Sequence, residues 1–342
     1  MDHDHPSNAG RSHDHPNNAG PSHDHPDQRR KQNRNQNQSR PSRPDVPPTE
    51  TVRPEWAAID ALSTLELLRL MNAEDRTVPA AVAGQLERIA VVVDAVAARM
   101  TRGGRLVYAG AGTAGRLGVL DAAECPPTFG TDPALVVGLI AGGLPAVTAA
   151  AEGAEDSPDL AAADVAALAL TPADTLVGVS ASGRTPYAVA AVRAARAAGA
   201  LTVALACNRG SALAAAAELA VEVEVGPEVL AGSTRLKAGT AQKLVLNMLS
   251  TAAMVRLGRT YGNLMVDVRA TNAKLRDRAR RIVAEATGAE DAAVRAALTA
   301  TGGRAKNAVL VLLADVDAPT AARLLDTAGG RLRDALRAGG HG

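Results

Sequence analysis

From Arg105 to Val225, short apolar runs alternate with longer alanine-rich stretches. The runs have the length of buried strands, and they are Leu106–Ala109, Leu135–Ile140, Thr175–Val179, Leu201–Ala206 and Val221–Val225. The stretches between them, such as Tyr187–Ala198, have the length of helices. This alternation predicts an α/β fold in which helices flank both faces of a parallel five-stranded sheet.

Helical spacing of apolar residues precedes and follows this alternating region. Ser63 and Glu66 form the capping-box signature of a helix start, in which each side chain bonds the backbone of the other residue. A second N-terminal helix is expected to begin near Pro79, because apolar residues then recur at helical spacing. Those residues are Leu86, Ile89, Val93, Val96 and Met100. A long helix is predicted over 238–257, and a small, wholly helical C-terminal domain from about residue 270.

Residues 1 to about 54 have a composition that predicts a tail outside the fold. The sequence HDHP recurs at His3, His13 and His23, and no acidic residue occurs between Gln28 and Pro44. A segment with so little apolar surface to bury cannot offset the entropy of ordering it. Metal capture by the histidines and anion binding by the arginines are alternative functions for this tail.

Charge and cysteine content narrow the choice of partner and compartment. The 37 basic and 36 acidic residues give a formal net charge of +1, which offers no bulk attraction for nucleic acid or an anionic membrane. The two cysteines, Cys125 and Cys207, fit no disulfide or zinc-site spacing. No apolar span approaches the ~20 residues of a membrane helix, and the polar N-terminus lacks the apolar segment of a signal peptide. We therefore expect a soluble protein in a reducing cytoplasm.

Histidine is confined to the two ends of the chain. The predicted tail holds all of the histidines except His341, which is the penultimate residue. Catalytic schemes that depend on a Ser-His-Asp or Cys-His arrangement are therefore excluded for the folded body. Any acid–base chemistry there must use carboxylates, Lys, Tyr or Cys.

A glycine-rich turn, GAGTAG, follows the first apolar run at residues 110–115. Strand, glycine turn and helix start are the context in which backbone N–H groups and the helix dipole bind an anion. A dinucleotide site would also need an acidic residue about 20 residues later, at the end of the second strand. That strand is followed by Ala141-Gly142-Gly143, without an acid. A phosphate ester is the favoured ligand, with a purely structural turn as the alternative.

Two further polar clusters stand at predicted strand-to-helix junctions. Ser180–Pro186 reads SASGRTP and Gly232–Thr240 reads GSTRLKAGT, so hydroxyl groups precede a helix in both. Hydroxyls and exposed amides around one point make a neutral cradle for phosphate. N-capping is the alternative function, although a cap needs only one hydroxyl. Ligands of parallel sheets bind at the carboxyl ends of the strands, where all three clusters fall.

Two groups of carboxylates are candidates for acid–base chemistry. Glu124 is followed by Cys125-Pro126-Pro127, and the prolines are expected to end the preceding helix. Glu152, Glu155 and Asp156 lie at or after the end of the helix that follows the second strand. Most glutamates are solvated surface residues, and Glu124 stands out because it follows the glycine turn within one short helix.

Five stretches of the chain are long enough to identify a family. They read GAGTAGRLGVLDAAECPPTFG, AEGAED, SASGRTPY, GPEVLAGSTRLKAGTAQKLVLNMLST and GNLMVD. They resemble the motifs of the N-acetylmuramic acid 6-phosphate etherases, which have the SIS phosphosugar-binding fold. The resemblance implies a homodimer and a carbon–oxygen lyase that needs no metal or nucleotide cofactor. It also implies three segments, namely a tail (1–54), a SIS catalytic domain with leading helices (55–265) and a C-terminal helical cap (266–342).

The resemblance further implies cleavage of the D-lactyl ether of N-acetylmuramic acid 6-phosphate by elimination and water addition. The products are N-acetylglucosamine 6-phosphate and D-lactate, formed in cell-wall recycling. In the open-chain sugar the aldehyde acidifies the hydrogen at carbon 2, and the lactate oxygen is a poor leaving group unless an acid protonates it. A carboxylic acid can do this at neutral pH if burial near apolar groups raises its pKa.

Matched residue by residue, the resemblance implies Glu124 as the proton donor and Glu155, the last glutamate of AEGAED, as the second catalytic glutamate. Glu152 is a near neighbour, and the choice between it and Glu155 rests on the family's pattern alone. The implied phosphate and sugar contacts are Thr113, Ser182, Gly183, Thr185, Ser233, Thr234 and Lys237. The resemblance places such sites near the subunit interface.

Ala114 departs from the family's pattern, because many members have Ser at this position of GTAGRLG. Ser180 stands where some members have Ala, so it is a candidate for supplying the missing hydroxyl as a further substrate-binding residue. Two alternative functions stay open. A phosphosugar isomerase of the same fold would share the phosphate cradle and the proton abstraction at carbon 2. A non-catalytic phosphosugar-sensing protein would share the motifs, but the presence of both Glu124 and Glu155 favours catalysis.

Overall fold

The computed structural model describes residues 46–268 and 273–340. Within these ranges five strands, numbered β1 to β5 along the chain, form one parallel sheet in the order β2-β1-β3-β4-β5. The strands are β1 (Leu106–Gly110), β2 (Val136–Ile140), β3 (Thr175–Ser180), β4 (Leu201–Ala206) and β5 (Leu219–Glu222). The sheet and its flanking helices confirm the predicted fold class.

The fifth strand differs from its prediction. It begins two residues earlier and ends three residues earlier than the apolar run Val221–Val225. Val223 and Val225 are buried, and the N–H of Val223 still bonds the carbonyl of Ala206 at 2.9 Å, but the strand ends at Glu222. These two valines therefore pack in the core beyond the end of the strand.

From residue 46 onward, three α-helices precede the sheet, namely α1 (Thr64–Asp75), α2 (Val78–Ala83) and α3 (Leu86–Thr101). The capping box of α1 is confirmed, since Ser63 Oγ accepts the N–H of Glu66 and the Glu66 carboxylate accepts the N–H of Ser63. The prediction of one continuous helix from Pro79 is wrong, because Gly84 and Gln85 divide it into α2 and α3. Glycine disfavours the helix interior, and Gln85 has non-helical backbone angles (φ −115°, ψ 3°).

Helices cover both faces of the sheet. On one face lie α3, α4 (Gly112–Phe129) and α9 (Lys237–Arg256), and on the other lie α6 (Pro158–Ala167), α7 (Pro186–Ala197) and α8 (Ala212–Ala216). A short helix, α5 (Pro145–Thr148), follows β2. Alternate residues of β1 divide between the two cores, since Leu106 and Tyr108 face the first while Val107 and Ala109 face the second.

Helix α4 continues through the two prolines that were expected to end it. Pro126 and Pro127 lie inside the helix, which ends at Phe129 and is capped by Gly130 in the left-handed conformation (φ 63°). The prolines remove two backbone N–H donors from the last turns. Cys125 and Phe129 are buried in the core from the same turns, so tertiary packing holds this part of the helix in place.

The described C-terminal segment is wholly helical, as predicted. Its helices are α10 (Ala273–Thr287), α11 (Asp291–Ala300), α12 (Ala305–Ala314), α13 (Ala318–Thr327) and α14 (Leu332–Ala338). They enclose a hydrophobic core of their own, to which Val283, Val309 and Leu332 contribute. Across the described ranges, no helix is both long enough and apolar enough to cross a membrane.

A buried lysine joins this helical segment to the chain that follows α9. Lys306 Nζ donates to Asp267 Oδ2 at 2.6 Å and to the carbonyl oxygens of Gly258 and Gly330 at 2.9 Å each. Burial lowers the pKa of Lys306, against the opposing attraction of Asp267. Arg259 also approaches Asp267, at 3.5 Å.

Residues 46–54 pack on the folded body, although their composition placed them in the tail. Thr49 is fully buried, its hydroxyl accepts a bond from Asn208 Nδ2 at 3.1 Å, and its carbonyl accepts the N–H of Gly232 at 3.2 Å. A short polar segment with several prolines carries no periodic signal, so only its long-range contacts reveal this placement. The HDHP repeats and the arginine-rich stretch of residues 1–45 lie outside the described residues, as does His341.

Candidate active site

Three loops meet at the edge where the central strands end. β1, β2 and β3 end nearly level, because Gly110 pairs in register with Ile140 and with Val179. The loops are the glycine loop (residues 111–113) after β1, the segment 141–157 after β2, and the serine loop (residues 181–185) after β3. Since β1 lies between β2 and β3, the glycine loop lies between the other two.

Glycines let the glycine loop fold tightly onto the sheet. Gly112 has a φ of +53°, in the left-handed region that glycine favours. A side chain at Gly115 would place its Cβ 2.6 Å from the carbonyl oxygen of Gly110, so only glycine fits there. Thr113 is half-buried beside α9, where a Cβ on Gly239 would lie 3.4 Å from its methyl group. The first turn of α4 thus begins at the sheet edge, an arrangement that binds anions.

The serine loop gathers two hydroxyl groups around that of one buried serine, Ser180. Ser180 Oγ lies 2.8 Å from Thr185 Oγ1 and 3.3 Å from Ser182 Oγ, and it accepts the N–H of Gly183 at 3.0 Å. Ser182 Oγ in turn accepts the N–H of Arg184 at 3.2 Å. Ser180 is only 2% exposed, whereas Ser182 and Thr185 are more accessible. Its hydroxyl therefore bonds the loop itself in this structure, rather than lying open to a substrate in place of Ala114.

Gly183 is required by the shape of this loop. Its φ is +67°, and a Cβ there would lie 2.3 Å from Ser211 Cβ, at the start of α8. Such a contact is shorter than any that packed side chains tolerate. The serine loop is therefore fixed both by its own hydroxyls and by the helix behind it.

The third polar cluster, at the start of α9, is organised differently from its prediction. Glu228 caps this helix, since its buried carboxylate accepts the N–H groups of Lys237 at 3.0 Å and of Ala238 at 2.9 Å. Burial raises the pKa of Glu228, against the opposing effect of these two bonds. The Lys237 ammonium is also buried and donates to Glu74 of α1 at 2.8 Å. In this structure, then, neither the start of α9 nor Lys237 is open to a phosphate.

Ser233 and Thr234 are half-buried in the turn before α9. The carbonyl of Thr234 accepts the N–H of Gly239, and Gly239 is the residue that faces Thr113. This turn therefore lies beside the glycine loop. The structure brings Ser233 and Thr234 near the predicted site, while Glu228 and Lys237 hold the helix behind them.

A cavity of about 200 Å³ joins the glycine loop to the predicted glutamates. Its lining includes Gly112, Glu152 and Glu155, so both glutamates of AEGAED reach it. Arg116 lines the same cavity and was not singled out from the sequence. Its Nε donates to Val147 O at 3.0 Å and its Nη2 to the next carbonyl but one, Ala149 O, at 2.9 Å. A cation one helical turn after Gly112 is the signal that would have found it.

Glu124 lies apart from this cavity within one chain. It is exposed on α4, twelve residues after Gly112, which corresponds to about 18 Å along the helix axis. Because α4 runs back from the carboxyl ends of the strands, Glu124 faces solvent near their amino ends. Its exposed neighbours on this face include Leu120 and Pro127. The two predicted catalytic glutamates are thus not brought together by a single chain.

A buried carboxylate, Asp121, fixes the turn of α4 that carries Glu124. It accepts bonds from Tyr108 OH at 2.8 Å, from Asn247 Nδ2 at 2.6 Å and from Ser250 Oγ at 3.1 Å. Burial raises the pKa of Asp121, against the lowering effect of these three bonds. No local sequence pattern marks Asp121 as important, because its partners lie on β1 and on the distant α9. The network locks α4 between the sheet and α9.

The site offers hydroxyls and backbone N–H groups that can hold a phosphate, and carboxylates that can transfer protons. Among residues 46–268 and 273–340, no group of three or more His, Cys, Asp or Glu side chains is placed to share a metal ion. The SIS domain family matches residues 157–252, and the family described as glucokinase regulatory protein N-terminal SIS domain matches residues 88–196. The chain is therefore a protein of the SIS fold.

Curated relatives cover most of the chain. The chain is 72% identical over 290 residues to an N-acetylmuramic acid 6-phosphate etherase of Streptomyces coelicolor. The aligned region covers 85% of this chain and 93% of that protein. The chain is 56% identical over 291 residues to the protein of the same name from Mycolicibacterium smegmatis, which spans 85% of this chain and 98% of that protein. The chain belongs to the N-acetylmuramic acid 6-phosphate etherase family, whose members are carbon–oxygen lyases.

Proposed function

We propose that this chain cleaves the D-lactyl ether of N-acetylmuramic acid 6-phosphate by elimination and hydration. The products are N-acetylglucosamine 6-phosphate and D-lactate, and the reaction serves the recycling of cell-wall amino sugars. The observation that carries the proposal is the cavity in which Glu155 and the glycine loop meet. This cavity offers an anion-binding backbone and a proton-transferring carboxylate at one point of the sheet edge.

The phosphate is held by the serine loop in this proposal. Ser182, Gly183 and Thr185 supply hydroxyl and N–H donors, and the glycine loop contributes Thr113 beside them. Ser233 and Thr234 extend these contacts from the turn before α9. Ser180 acts by shaping the loop, because its hydroxyl already bonds three of the loop's groups. Lys237 would reach the phosphate only by leaving Glu74, so its contact stays a prediction.

The chemistry needs a group that removes the proton at carbon 2 and an acid that protonates the departing lactate oxygen. Glu155 stands beside the sugar in this arrangement, and Glu152 lines the same cavity. Glu124 is the proton donor implied by the family motif, yet it lies about 18 Å along α4 from Gly112. A donor must approach within about 3 Å of the oxygen it protonates. As the donor, Glu124 would therefore act in the site of another subunit.

We accordingly propose a homodimer in which the exposed face of α4 completes the partner's site with Glu124. Leu120, which is 52% exposed, and Pro127 lie on the same face and would be covered by a subunit contact there. Two inactive variants, Glu124→Gln and Glu155→Gln, test the arrangement when they are mixed and allowed to exchange subunits. If the two glutamates come from different subunits, a mixed dimer holds one intact site, and a 1:1 mixture regains about a quarter of the wild-type lactate release. No recovery after proven subunit exchange would place both glutamates in one chain's site and refute the arrangement.

Lactate release from the purified protein tests the function itself. The shortened form for comparison begins at residue 46, because Thr49 packs on the body. Lactate formed from N-acetylmuramic acid 6-phosphate supports the proposal. Interconversion of sugar phosphates without lactate would indicate an isomerase, and binding without turnover would indicate a sensor. A cytoplasmic location is also proposed, supported by the two buried, unpaired cysteines.

A further inference from the structure

The cavity lined by Glu152 and Glu155 also contains a cation, Arg116, that pairs with no carboxylate among the described residues. Arg116 uses Nε and one Nη2 hydrogen to bond the carbonyls of Val147 and Ala149. A guanidinium has five N–H donors, so three of them form no hydrogen bond within the described chain. Glu152 and Glu155 line the same cavity without forming an ion pair with Arg116.

The two carbonyl bonds hold the guanidinium in place. Val147 and Ala149 belong to the segment after β2, whereas Arg116 belongs to the first turns of α4. One edge of the planar guanidinium is thereby anchored, and part of its fork remains for a ligand. A guanidinium fork matches the two oxygens of a carboxylate better than an ammonium does.

The proposed substrate carries two anionic groups, the phosphate on carbon 6 and the carboxylate of the lactyl ether. The serine loop is a neutral, hydroxyl-rich cradle suited to the phosphate. The lactyl carboxylate has to lie near the ether that is cleaved, and there Glu152 and Glu155 would repel it. A cation in the same cavity offsets that repulsion.

We infer that Arg116 binds the lactyl carboxylate of the substrate, an inference that rests on the function proposed above. Arg116 is then the residue that distinguishes N-acetylmuramic acid 6-phosphate from N-acetylglucosamine 6-phosphate, which has no carboxylate. The same contact weakens once lactate has left, so the amino-sugar product is held by its phosphate and sugar contacts alone.

The test compares wild type with Arg116→Gln on ligands that differ only in the lactyl group. Lactate release gives kcat and KM for N-acetylmuramic acid 6-phosphate and for its lactyl-amide analogue, and calorimetry gives the Kd of N-acetylglucosamine 6-phosphate. Loss of one charge-assisted contact is expected to lower kcat/KM for the acid about 10- to 100-fold. The Kd of N-acetylglucosamine 6-phosphate should change less than about twofold, and the variant should no longer prefer the acid over the amide.

Equal losses for the acid, the amide and N-acetylglucosamine 6-phosphate would overturn the inference, because Arg116 would then act only by shaping the segment after β2. Unchanged kcat/KM for the acid would overturn it as well. Arg116→Lys keeps the charge without the fork and should retain part of the preference for the acid. Circular dichroism shows whether each variant is folded. If the wild type binds these sugars but releases no lactate, the proposed function fails, and this inference falls with it.

Discussion

Removal of the buried Lys306 ammonium is expected to lower the free energy of unfolding without changing any residue of the candidate active site. Lys306→Met preserves much of the side chain's length and its packing. It leaves Asp267, whose side chain is 17% exposed, without its 2.6 Å partner. It also leaves the carbonyl oxygens of Gly258 and Gly330 without their bonds from Nζ.

The size of the effect follows from these contacts. Removing one partner of a buried ion pair costs about 3–5 kcal/mol, because the remaining charge is left uncompensated. Arg259 lies 3.5 Å from Asp267 and relieves part of that cost. We therefore expect the free energy of unfolding to fall by about 3 kcal/mol, at the lower end of that range.

Urea unfolding followed by circular dichroism measures this change. The matched control is Arg295→Met, which breaks an ion pair with Asp291 between exposed side chains on α11. An exposed pair of this kind contributes only about 0.5 kcal/mol. A loss for Lys306→Met below about 1 kcal/mol, or no larger than that of the control, would refute the assignment of Lys306 as the residue that joins the two parts of the chain.

Two further predictions concern the serine loop and the far edge of the sheet. Gly183→Ala should lower the free energy of unfolding by at least about 1 kcal/mol more than Gly288→Ala, because both have positive φ but only Gly183 faces a close contact; equal losses in urea unfolding would contradict this. Burial acts to raise the pKa of Asp174, but hydrogen bonds, first that of Arg105, lower it to about 2. A carboxylate whose pKa is lower in the folded than in the unfolded state stabilises the fold above its unfolded pKa, which is near 4. This stabilisation is lost as the pH falls toward 2. The stability gap between wild type and Asp174→Asn should therefore narrow by about 1 kcal/mol from pH 6 to pH 3, and a constant gap would contradict the assignment.

The strands and the first helix could be predicted because each depends on residues that are close in sequence. β1 to β4 lie within one residue of the predicted apolar runs, and the capping box of Ser63 needs only a partner three residues away. The charges at the start of α9 behave differently. Lys237 pairs with Glu74, 163 residues earlier in the chain, and a local pattern carries no information about such a partner.

The loops of the candidate site and the approach of Glu152 and Glu155 to the glycine loop were predictable, whereas the position of Glu124 was not. Strand ends of a parallel sheet share one edge, so the glycine and serine loops were expected together and lie on neighbouring strands. Glu124 is near the glycine turn in sequence, which suggests that the two are also near in space. A helix separates residues steadily, however, and the twelve residues that follow Gly112 carry Glu124 about 18 Å away. The sequence distance was short, while the spatial distance within one chain is long.

The order of the strands also fixes a distance between loops that a sugar phosphate has to match. Neighbouring strands lie about 4.8 Å apart, so the loops after β2 and β3, with β1 between them, begin about 10 Å apart. Backbone hydrogen bonds fix this spacing, and no side-chain substitution can rescale it. We therefore expect single substitutions in the loops to raise or lower the affinity for the substrate. The preference for a phosphate on carbon 6 over another carbon should persist in every variant that folds. A shift to a different positional isomer would require a loop of different length.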